Sequence, residues 1–340
     1  MTPQSDNENR DFNKMKKLSI IAIILASLAI AGEAFIFATR KEKNEEEAIH
    51  ARAIKADYRV YAPSIPDTLY FCGERVPLNL WYVREGLDRE LVSNMYYQSS
   101  TLFAIKRAAR VFPTIERILK EEGVPQDMKY LCVIESNLQN ATSPAGAQGY
   151  WQFMKATGVK YGLEIGDEID MRNNLEESTH AACRYLKYLK RRLGNWTNAA
   201  AAYNCGEGGL EKRLSNQQQK SYYDLLLNKE TQRYVYRILA LKLIMQHPQD
   251  YGYTVRRCDT YPELPYTEVE LSGKDVNLVQ FAVDNGTSYK MLRTMNPWIT
   301  TDNLKNKADK TYKVRIPTKK GTEYTTITKG KHDTAVIECI

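Results

Sequence analysis

The chain has 340 residues, of which 43% are hydrophobic and 26% are charged, so a folded protein with a large core and a smaller module is expected. Its net charge of +7 suits an anionic partner such as a membrane surface, a nucleic acid or a cell-wall polymer. The basic residues are scattered, and neither the six cysteines nor the four histidines have zinc-ligand spacing, so we expect no nucleic-acid partner and no structural metal.

An apolar segment near the N-terminus predicts export. A lysine cluster at residues 14–17 precedes LSIIAIILASLAIAGEAFIFA, residues 18–38, which is long enough to cross the cytoplasmic membrane. Because positive charge stays inside, residues 1–17 are predicted to be a cytoplasmic leader and the rest of the chain to lie in the cell envelope, on the periplasmic face. The small-residue pattern at 29–31 leaves signal-peptide cleavage open, although the long polar leader favours an uncleaved anchor. A buried core helix is the less favoured alternative.

The middle of the chain has the hydrophobic spacing of α-helices. Residues 39–86 are predicted to be a charged linker and a proline-containing lead-in, and apolar side chains then recur at helical intervals over 87–250. No strong strand pattern occurs there, so an all-α domain is predicted. Its expected elements are a loop over 139–150 and helices over 87–122 (broken at Pro113), 125–138, 151–157, 175–193, 196–205 and 221–247.

The composition shifts after Pro262. Residues 266–271 (YTEVEL) and 311–317 (TYKVRIP) alternate between apolar and polar side chains, as strands do. Two short helical stretches, NLVQFAVDNG and SYKMLRTMN, lie between these strands. Residues 264–318 are therefore predicted to form a small α+β module in the order β-α-α-β, followed by a polar tail over 319–340.

A lone glutamate interrupts the apolar run LCVIESNL. Glu135 lies one helical turn from Leu131 and from Leu138, so its carboxyl group is expected beside apolar neighbours. Burial disfavours the charged form and raises the pKa of a carboxyl group. A carboxylic acid that is protonated at neutral pH can donate a proton to a glycosidic oxygen. The alternative is a solvated glutamate paired with a nearby lysine, which is the commoner case in helices.

The motifs around Glu135 favour the catalytic interpretation. Ser136 follows it directly, and the loop SPAGAQG at 143–149 contains glycines that allow a backbone to approach a ligand closely. An amide between two aromatic rings follows at 151–153 (WQF), and AYN at 202–204 adds a phenol and a second amide. Each motif is weak alone, but their order along the chain is a strong signal.

This order resembles the catalytic domain of the soluble-type lytic transglycosylases, glycoside hydrolase family 23, over about residues 88–250. The family's motif residues fall on Glu135, Gly149, Gln152, Ala202, Tyr203, Asn204, Glu230, Thr231, Tyr234 and Val235. Cys205 replaces the small residue that usually follows Ala-Tyr-Asn, which is a mild departure. The resemblance implies a mainly α fold with a goose-type lysozyme-like helical catalytic domain.

The resemblance also implies cleavage of the bond between N-acetylmuramic acid and N-acetylglucosamine in the glycan strands of peptidoglycan, without a metal or cofactor. Glu135 is expected to act as general acid and then as general base, with help from the substrate's acetamido group, and to leave 1,6-anhydromuramic acid ends. Tyr203 and Tyr234 are the other catalytic candidates. The residues assigned to substrate binding are Ser136, Ser143, Gly149, Trp151, Gln152 and Asn204. The acids that follow in the chain are expected to be solvated, namely Glu164, Asp167, Glu168 and Asp170.

Two other functions stay open at this point. A hydrolytic muramidase on the same fold would use the same acid, with water in place of the C6 hydroxyl group of the sugar. A non-catalytic peptidoglycan-binding protein is disfavoured, because Glu135, Gln152, Tyr203 and Asn204 are all present together.

The C-terminal module loosely resembles a LysM glycan-binding domain. Asn296 falls on that pattern, and Trp298 and Tyr289 are the candidate sugar contacts, with a small packing domain as the alternative. In the helical domain, Cys183 and Cys205 lie equally far from a predicted turn between two helices, so we expect them to be neighbours. Packed thiols are favoured over a disulfide.

Overall fold

The computed structural model describes residues 61–323 together with Glu45, Ala48 and Val336. The predicted leader and the apolar segment at 18–38 lie outside these residues. Among the helices of the described part, none combines the length and the apolar character needed to cross a bilayer.

Within the described residues, eight α-helices make up the larger domain, which confirms the prediction of a mainly helical domain. Helices α1 to α8 span Trp81–Tyr96, Gln98–Glu121, Lys129–Ser136, Lys155–Lys160, Leu175–Leu193, Trp196–Cys205, Glu207–Asn216 and Lys229–Gln246. Helix α8 is central, because it packs against α1, α3 and α6 and buries side chains on several faces. A helix that is apolar almost all round belongs in the interior of a helical domain.

Side-chain caps define the antiparallel pair α5 and α6. The Asn174 side chain accepts hydrogen bonds from the backbone N–H groups of Glu176 and Glu177 and starts α5. Gly194 ends that helix with a φ of 89°, and the Asn195 side chain caps α6 at once. The predicted turn is confirmed, and it returns the Ala-Tyr-Asn motif toward the other motifs.

The predicted break at Pro113 is wrong, because α2 runs without interruption through that residue. A proline inside a helix removes a backbone hydrogen bond. The apolar stripe of α2 continues on both sides of Pro113, with Phe112 and Ile115 both buried in the core. Burial of this stripe therefore outweighs the lost hydrogen bond.

The predicted helix over 151–157 is also misplaced. Gln148 and Phe153 pair as an isolated β-bridge, with hydrogen bonds of 3.1 and 3.0 Å in both directions. Gln152, between them, has a left-handed φ of 49°, which is incompatible with a helix. Helix α4 consequently begins at Lys155.

The lead-in contributes to the helical domain. Its strands β1 (Tyr70–Phe71) and β2 (Glu74–Arg75) form a hairpin. The Glu74 carboxylate accepts hydrogen bonds from the backbone N–H groups of Trp196 (2.6 Å) and Thr197 (2.9 Å), so it caps α6 from outside the helix. The apolar residues of this segment belong to the same core, namely Leu69, Phe71, Val76 and Leu78.

The C-terminal domain has the predicted β-α-α-β order. Its outer strands β3 and β6 pair antiparallel, and the short strands β4 and β5 add a second pair. Strands β3 to β6 span Tyr266–Leu271, Val276–Asn277, Asn303–Leu304 and Tyr312–Pro317, and helices α9 and α10 span Leu278–Asp284 and Tyr289–Met295. Asn296 is fully buried and bonds the backbone of Leu292 and Arg315, so it ties α10 to β6.

This domain docks on the loop between α4 and α5. The Asp170 N–H donates to the Trp298 carbonyl, and the Thr300 N–H donates to the Glu168 carbonyl, both at 2.8 Å. Ile169, between these bonds, is buried in the core of the C-terminal domain. The two domains therefore share main-chain hydrogen bonds and apolar contacts.

Candidate active site

Glu135 occupies the last turn of α3. The helix ends at Ser136, because Asn137 and Leu138 have left-handed φ angles of 52° and 55°. The Tyr234 phenol, from the middle of α8, donates a short hydrogen bond to Glu135 Oε1. Packing of α3 against α8 thus sets the orientation of the carboxyl group.

The surroundings of Glu135 tune its acidity. Burial raises the pKa of this half-buried carboxyl group from 4.5 to about 7. The hydrogen bond from Tyr234 and the positive charge of Arg237 act in the opposite direction, and the negative charge of Glu230 adds to the rise. Near neutral pH the group can therefore both donate and accept a proton, as the sequence predicted from its apolar neighbours.

Tyr203 also lies close enough to Glu135 for the charge of that carboxyl group to act on its phenol. Its phenol donates to the carbonyl of Trp151 (2.8 Å), and its ring packs on Tyr185 and Phe153. Burial, followed by the negative charge of Glu135, holds the pKa of Tyr203 well above its ordinary value. The phenol stays protonated and links α6 to the loop before α4.

Asn204 ties the end of α6 to the start of α8. Its Nδ2 donates to Glu230 Oε1 (3.2 Å), and its Oδ1 accepts from the Thr231 hydroxyl (2.9 Å). These two bonds fix the amide beside the stripe of α8 that carries Tyr234. Thr231, which bonds Asn204, lies one helical turn before Tyr234 on α8.

The loop over 139–153 uses its own side chains to keep its shape. Gln152 Nε2 donates to the carbonyls of Ala141 (2.9 Å) and Gly149 (2.8 Å). The Ser143 hydroxyl accepts from the N–H of Ala147 at 3.0 Å. Gln152 and Ser143, which the sequence assigned to glycan binding, thus both hold the loop.

Gly149 allows a close contact inside the protein. Its φ is +83°, and a Cβ atom there would lie 1.8 Å from the carbonyl oxygen of Arg172. No side chain fits at that distance. The sequence suggested that this glycine lets the backbone approach a ligand, but the backbone that it meets is that of Arg172.

A buried ion pair supports the same loop through hydrogen bonds to its backbone. Arg172 and Asp170 are each 5% exposed, and they form a bidentate pair with a shortest distance of 2.6 Å. Arg172 Nη1 also donates to the carbonyls of Gly146 (3.0 Å) and Phe153 (3.2 Å). The expectation that Asp170 is solvated is wrong. In the sequence, only the D-x-R spacing at 170–172 could have indicated the pair of Asp170 and Arg172. The loop residues that Arg172 bonds, Gly146 and Phe153, are distant from it in sequence.

Three predicted sugar contacts are buried instead. Trp151 is fully buried, and its indole donates to the Thr179 hydroxyl (2.9 Å), so its ring cannot stack on a sugar. Ser136 is buried, with its hydroxyl bonded to the Cys132 carbonyl. In the C-terminal domain, Trp298 is only 4% exposed and packs on Tyr312. Apolar packing, which is the default role of aromatic residues at helical spacing, accounts for both tryptophans.

The cysteines of the described part are reduced. Cys183 and Cys205 form no disulfide, and the free thiols are Cys72, Cys132, Cys183, Cys205 and Cys258. Burial raises the pKa of Cys183 to about 12, so its thiol is not reactive.

Two family models match the chain. Residues 112–226 match the transglycosylase SLT domain, a segment that includes Glu135 and Tyr203 and ends before Tyr234. Residues 267–320 match the soluble lytic transglycosylase C-terminal LysM-like domain.

The chain is also similar to the membrane-bound lytic murein transglycosylase D of Escherichia coli, in strains K12 and O6:H1. Each is 31% identical over 228 residues, which cover 65% of this chain and 49% of the relative. The chain thus spans about half the length of the curated relatives it matches. These matches agree with the fold and with the order of the motifs. Residues 112–226 are therefore similar to the transglycosylase SLT domain, and residues 267–320 are similar to the C-terminal LysM-like domain of soluble lytic transglycosylases.

Proposed function

We propose that this protein is a peptidoglycan lytic transglycosylase. It cleaves the bond between N-acetylmuramic acid and N-acetylglucosamine without water and leaves 1,6-anhydromuramic acid ends. The observation that carries this proposal is Glu135, a half-buried acid with a pKa of about 7, hydrogen-bonded by Tyr234. The match to the transglycosylase SLT domain family and the similarity to murein transglycosylases support the reaction class.

The proposed reaction uses Glu135 twice. Its protonated form donates to the glycosidic oxygen while the acetamido oxygen of the muramic acid attacks C1, so the glycosidic bond breaks and a cyclic intermediate forms. The ionised carboxylate then accepts the proton of the C6 hydroxyl group, whose oxygen displaces the acetamido oxygen from C1 and closes the anhydro ring. Glu135 ends protonated and ready for the next bond.

The neighbours of Glu135 take positioning roles in this scheme. Tyr234 holds the carboxyl group directly, and Asn204 and Tyr203 orient the acetamido group and the adjoining loop. Glu230 is solvent-exposed and bonded to Asn204, so we assign it no proton transfer.

The test compares two Glu→Gln variants at the site. Glu135→Gln keeps the shape of the side chain and removes its proton, so glycan cleavage should fall by several orders of magnitude, since each of two proton transfers contributes ~10²–10⁴-fold. Glu230→Gln is the matched control and should lose at most about tenfold, through the hydrogen bond to Asn204. Substantial cleavage by folded Glu135→Gln protein, or a dead Glu230→Gln protein, would refute the assignment.

The mass of the released muropeptides identifies the reaction. Anhydro ends lack one water and resist borohydride reduction, whereas a muramidase leaves reducible ends. Reducible products from the wild-type protein would show that it is a hydrolase and not a transglycosylase. Binding to the cell wall without any product would show that it is a binding protein.

We also propose that the protein acts in the cell envelope, on the periplasmic face of the cytoplasmic membrane. The support is the lysine cluster before the apolar segment at 18–38, and two relatives are named membrane-bound. A reporter fused after residue 60 should be active only when exported. Activity of that reporter in the cytoplasm alone would contradict this location.

A further inference from the structure

Helix α8 presents three polar side chains in one stripe. Glu230, Tyr234 and Arg237 have the spacing i, i+4, i+7, which places them on the same face of a helix. The middle residue holds Glu135 through its phenol. The outer two line a cavity of about 580 Å³, which also contacts Glu90 and the exposed ring of Tyr97. The cavity therefore lies along the stripe of α8 whose middle residue holds Glu135, and its volume is typical of a ligand site.

Most charges around this cavity are already compensated. Glu90 is buried and accepts two hydrogen bonds from Arg233, at 2.7 and 2.9 Å, and a third from Arg89. Glu230 accepts from Asn204. These carboxylates are thus held by groups of the protein itself.

Arg237 differs from its neighbours in the cavity. Within the described part of the chain it makes no hydrogen bond and no ion pair, although it is half-buried. Its charge favours the ionised form of Glu135, yet the two groups form no ion pair, so a gap separates them. When Glu135 is protonated, as the first step of the proposed reaction requires, its negative charge no longer acts on Arg237.

We propose that Arg237 binds a carboxylate of the substrate in this cavity. The inference rests on the proposed function and extends it to substrate recognition. A guanidinium group forms two parallel hydrogen bonds to a carboxylate, and these charge-assisted bonds are stronger than neutral ones. The muramic acid residues of a glycan strand offer this chemistry from two sources, the lactyl group itself or the peptide that replaces its free acid.

The experiment uses three sets of glycan strands of equal length. One set has free lactyl carboxylates after removal of the peptides, one carries the peptides, and one has its lactyl groups converted to neutral amides. Arg237→Gln should raise KM about tenfold or more for the strands whose carboxylate is recognised, because a charge-assisted hydrogen bond is lost. It should leave KM for the amide strands unchanged. The set of strands for which KM rises identifies the source of the carboxylate, either the lactyl group or the peptide.

Lys229→Gln is the matched control. Lys229 is a cation of the same cavity on the same helix, it is exposed, and it lies outside the stripe. An equal rise of KM for both variants, or an equal effect of Arg237→Gln on all three substrates, would mean a general charge effect and would overturn the proposal. Equal melting temperatures of the variants would show that unfolding does not cause the change of KM.

Binding measurements separate this inference from the proposed function. Calorimetry compares Glu135→Gln with the double variant Glu135→Gln, Arg237→Gln on the same three strand sets. The double variant should bind the recognised strands about tenfold more weakly and the amide strands equally well. If the wild-type protein cleaves no strand, the proposed function fails, and these affinities alone decide the role of Arg237: unchanged binding rejects it.

Discussion

At the scale of single residues, the proposed chemistry depends on how one carboxyl group is surrounded. Glu135 faces Tyr234, Glu230 and Arg237 from α8, Tyr203 from α6, and Cys132 on its own helix. Burial dominates these influences and makes the group a proton donor near neutral pH. The same burial makes the ionised form costly, so acidity and stability are linked at this residue.

The first prediction concerns the hydrogen bond to Glu135. The proposed reaction needs protonated Glu135, so kcat/KM of the wild-type protein should fall as the pH rises through about 7. The Tyr234 hydroxyl stabilises the ionised form, so Tyr234→Phe raises the pKa of Glu135 and moves this fall to higher pH. The maximal rate should also drop roughly tenfold or more, because a positioning bond is lost.

Tyr203→Phe provides the control for that profile. Its phenol bonds the Trp151 carbonyl and not the acid, so the pH at which activity falls should stay in place while the rate decreases. A pH profile that moves equally in both variants would contradict the separate roles of the two phenols.

The second prediction links Glu135 to stability. The folded-state pKa of about 7 lies above the ordinary value of 4.5, so the folded state binds the extra proton and loses stability as the pH rises between these values. Glu135→Gln has no carboxyl group at this position, so the variant does not lose this stability as the pH rises. Relative to wild type, the variant should therefore gain stability from pH 4 to pH 8, by up to about 3 kcal/mol. Denaturant unfolding at several pH values measures the difference, and a difference independent of pH would contradict the assigned pKa.

At the scale of elements, the side chains of the loop over 139–153 mainly hold the loop in shape, although its composition suggested that they contact a ligand. Gln152 and Ser143 hold the loop through hydrogen bonds to its own backbone, and Arg172 donates a hydrogen bond to its Gly146 carbonyl. Its carbonyl at Trp151 in turn accepts the hydrogen bond of Tyr203. A shift of this loop therefore reaches Tyr203 by a direct contact.

The third prediction uses two glycines of this loop that share a left-handed backbone. Gly149→Ala places a Cβ atom 1.8 Å from the Arg172 carbonyl oxygen, so the loop must move and both stability and activity should fall, stability by about 2–4 kcal/mol. Gly146→Ala has the same kind of strain, with a φ of +85°, but no atom within 4 Å. Its cost should be only about 1 kcal/mol. Melting curves and turnover of the two variants give the comparison, and similar losses in both would reject the steric explanation.

At the scale of the whole molecule, the C-terminal domain is joined to the site through a chain of contacts. Its Trp298 carbonyl accepts from the Asp170 N–H, the Asp170 side chain pairs with Arg172, and Arg172 supports the loop over 139–153. Glu164 adds a hydrogen bond from Tyr312 (3.0 Å) across the same interface. The two domains should consequently unfold as one cooperative unit.

The fourth prediction tests this coupling with two isoleucines of one loop. Ile169 is buried in the core of the C-terminal domain, whereas Ile165, four residues earlier, packs against the helical core. Ile169→Ala should destabilise by about 2–4 kcal/mol and should separate the single calorimetric transition into two, with the C-terminal domain melting first. Ile165→Ala should lower the melting temperature without separating the transition. Two transitions in the wild-type protein would contradict the coupling.

Local patterns in the sequence were sufficient for much of this structure. The helical periodicity from residue 87 onward, the alternation in 266–271 and the turn at Gly194 all depend on neighbours within a few positions, and each of these predictions is confirmed. The raised pKa of Glu135 also followed from its apolar neighbours on α3. Motif order indicated the similarity to the transglycosylase SLT domain for the same reason, since it needs no knowledge of distant contacts.

Tertiary structure alone decided what several motif residues do. Trp151 became a core residue and Gly149 a packing contact because α5 and the Arg172 backbone close over them. Asp170 was expected in solvent, but the docked C-terminal domain and Arg172 bury it. Burial is set by elements that lie far apart in the chain, whereas periodicity reports only which face of an element is apolar. The sequence therefore determined most of the elements and pointed to Glu135, and the packing of α3, α8 and the C-terminal domain determined which polar side chains the protein itself holds.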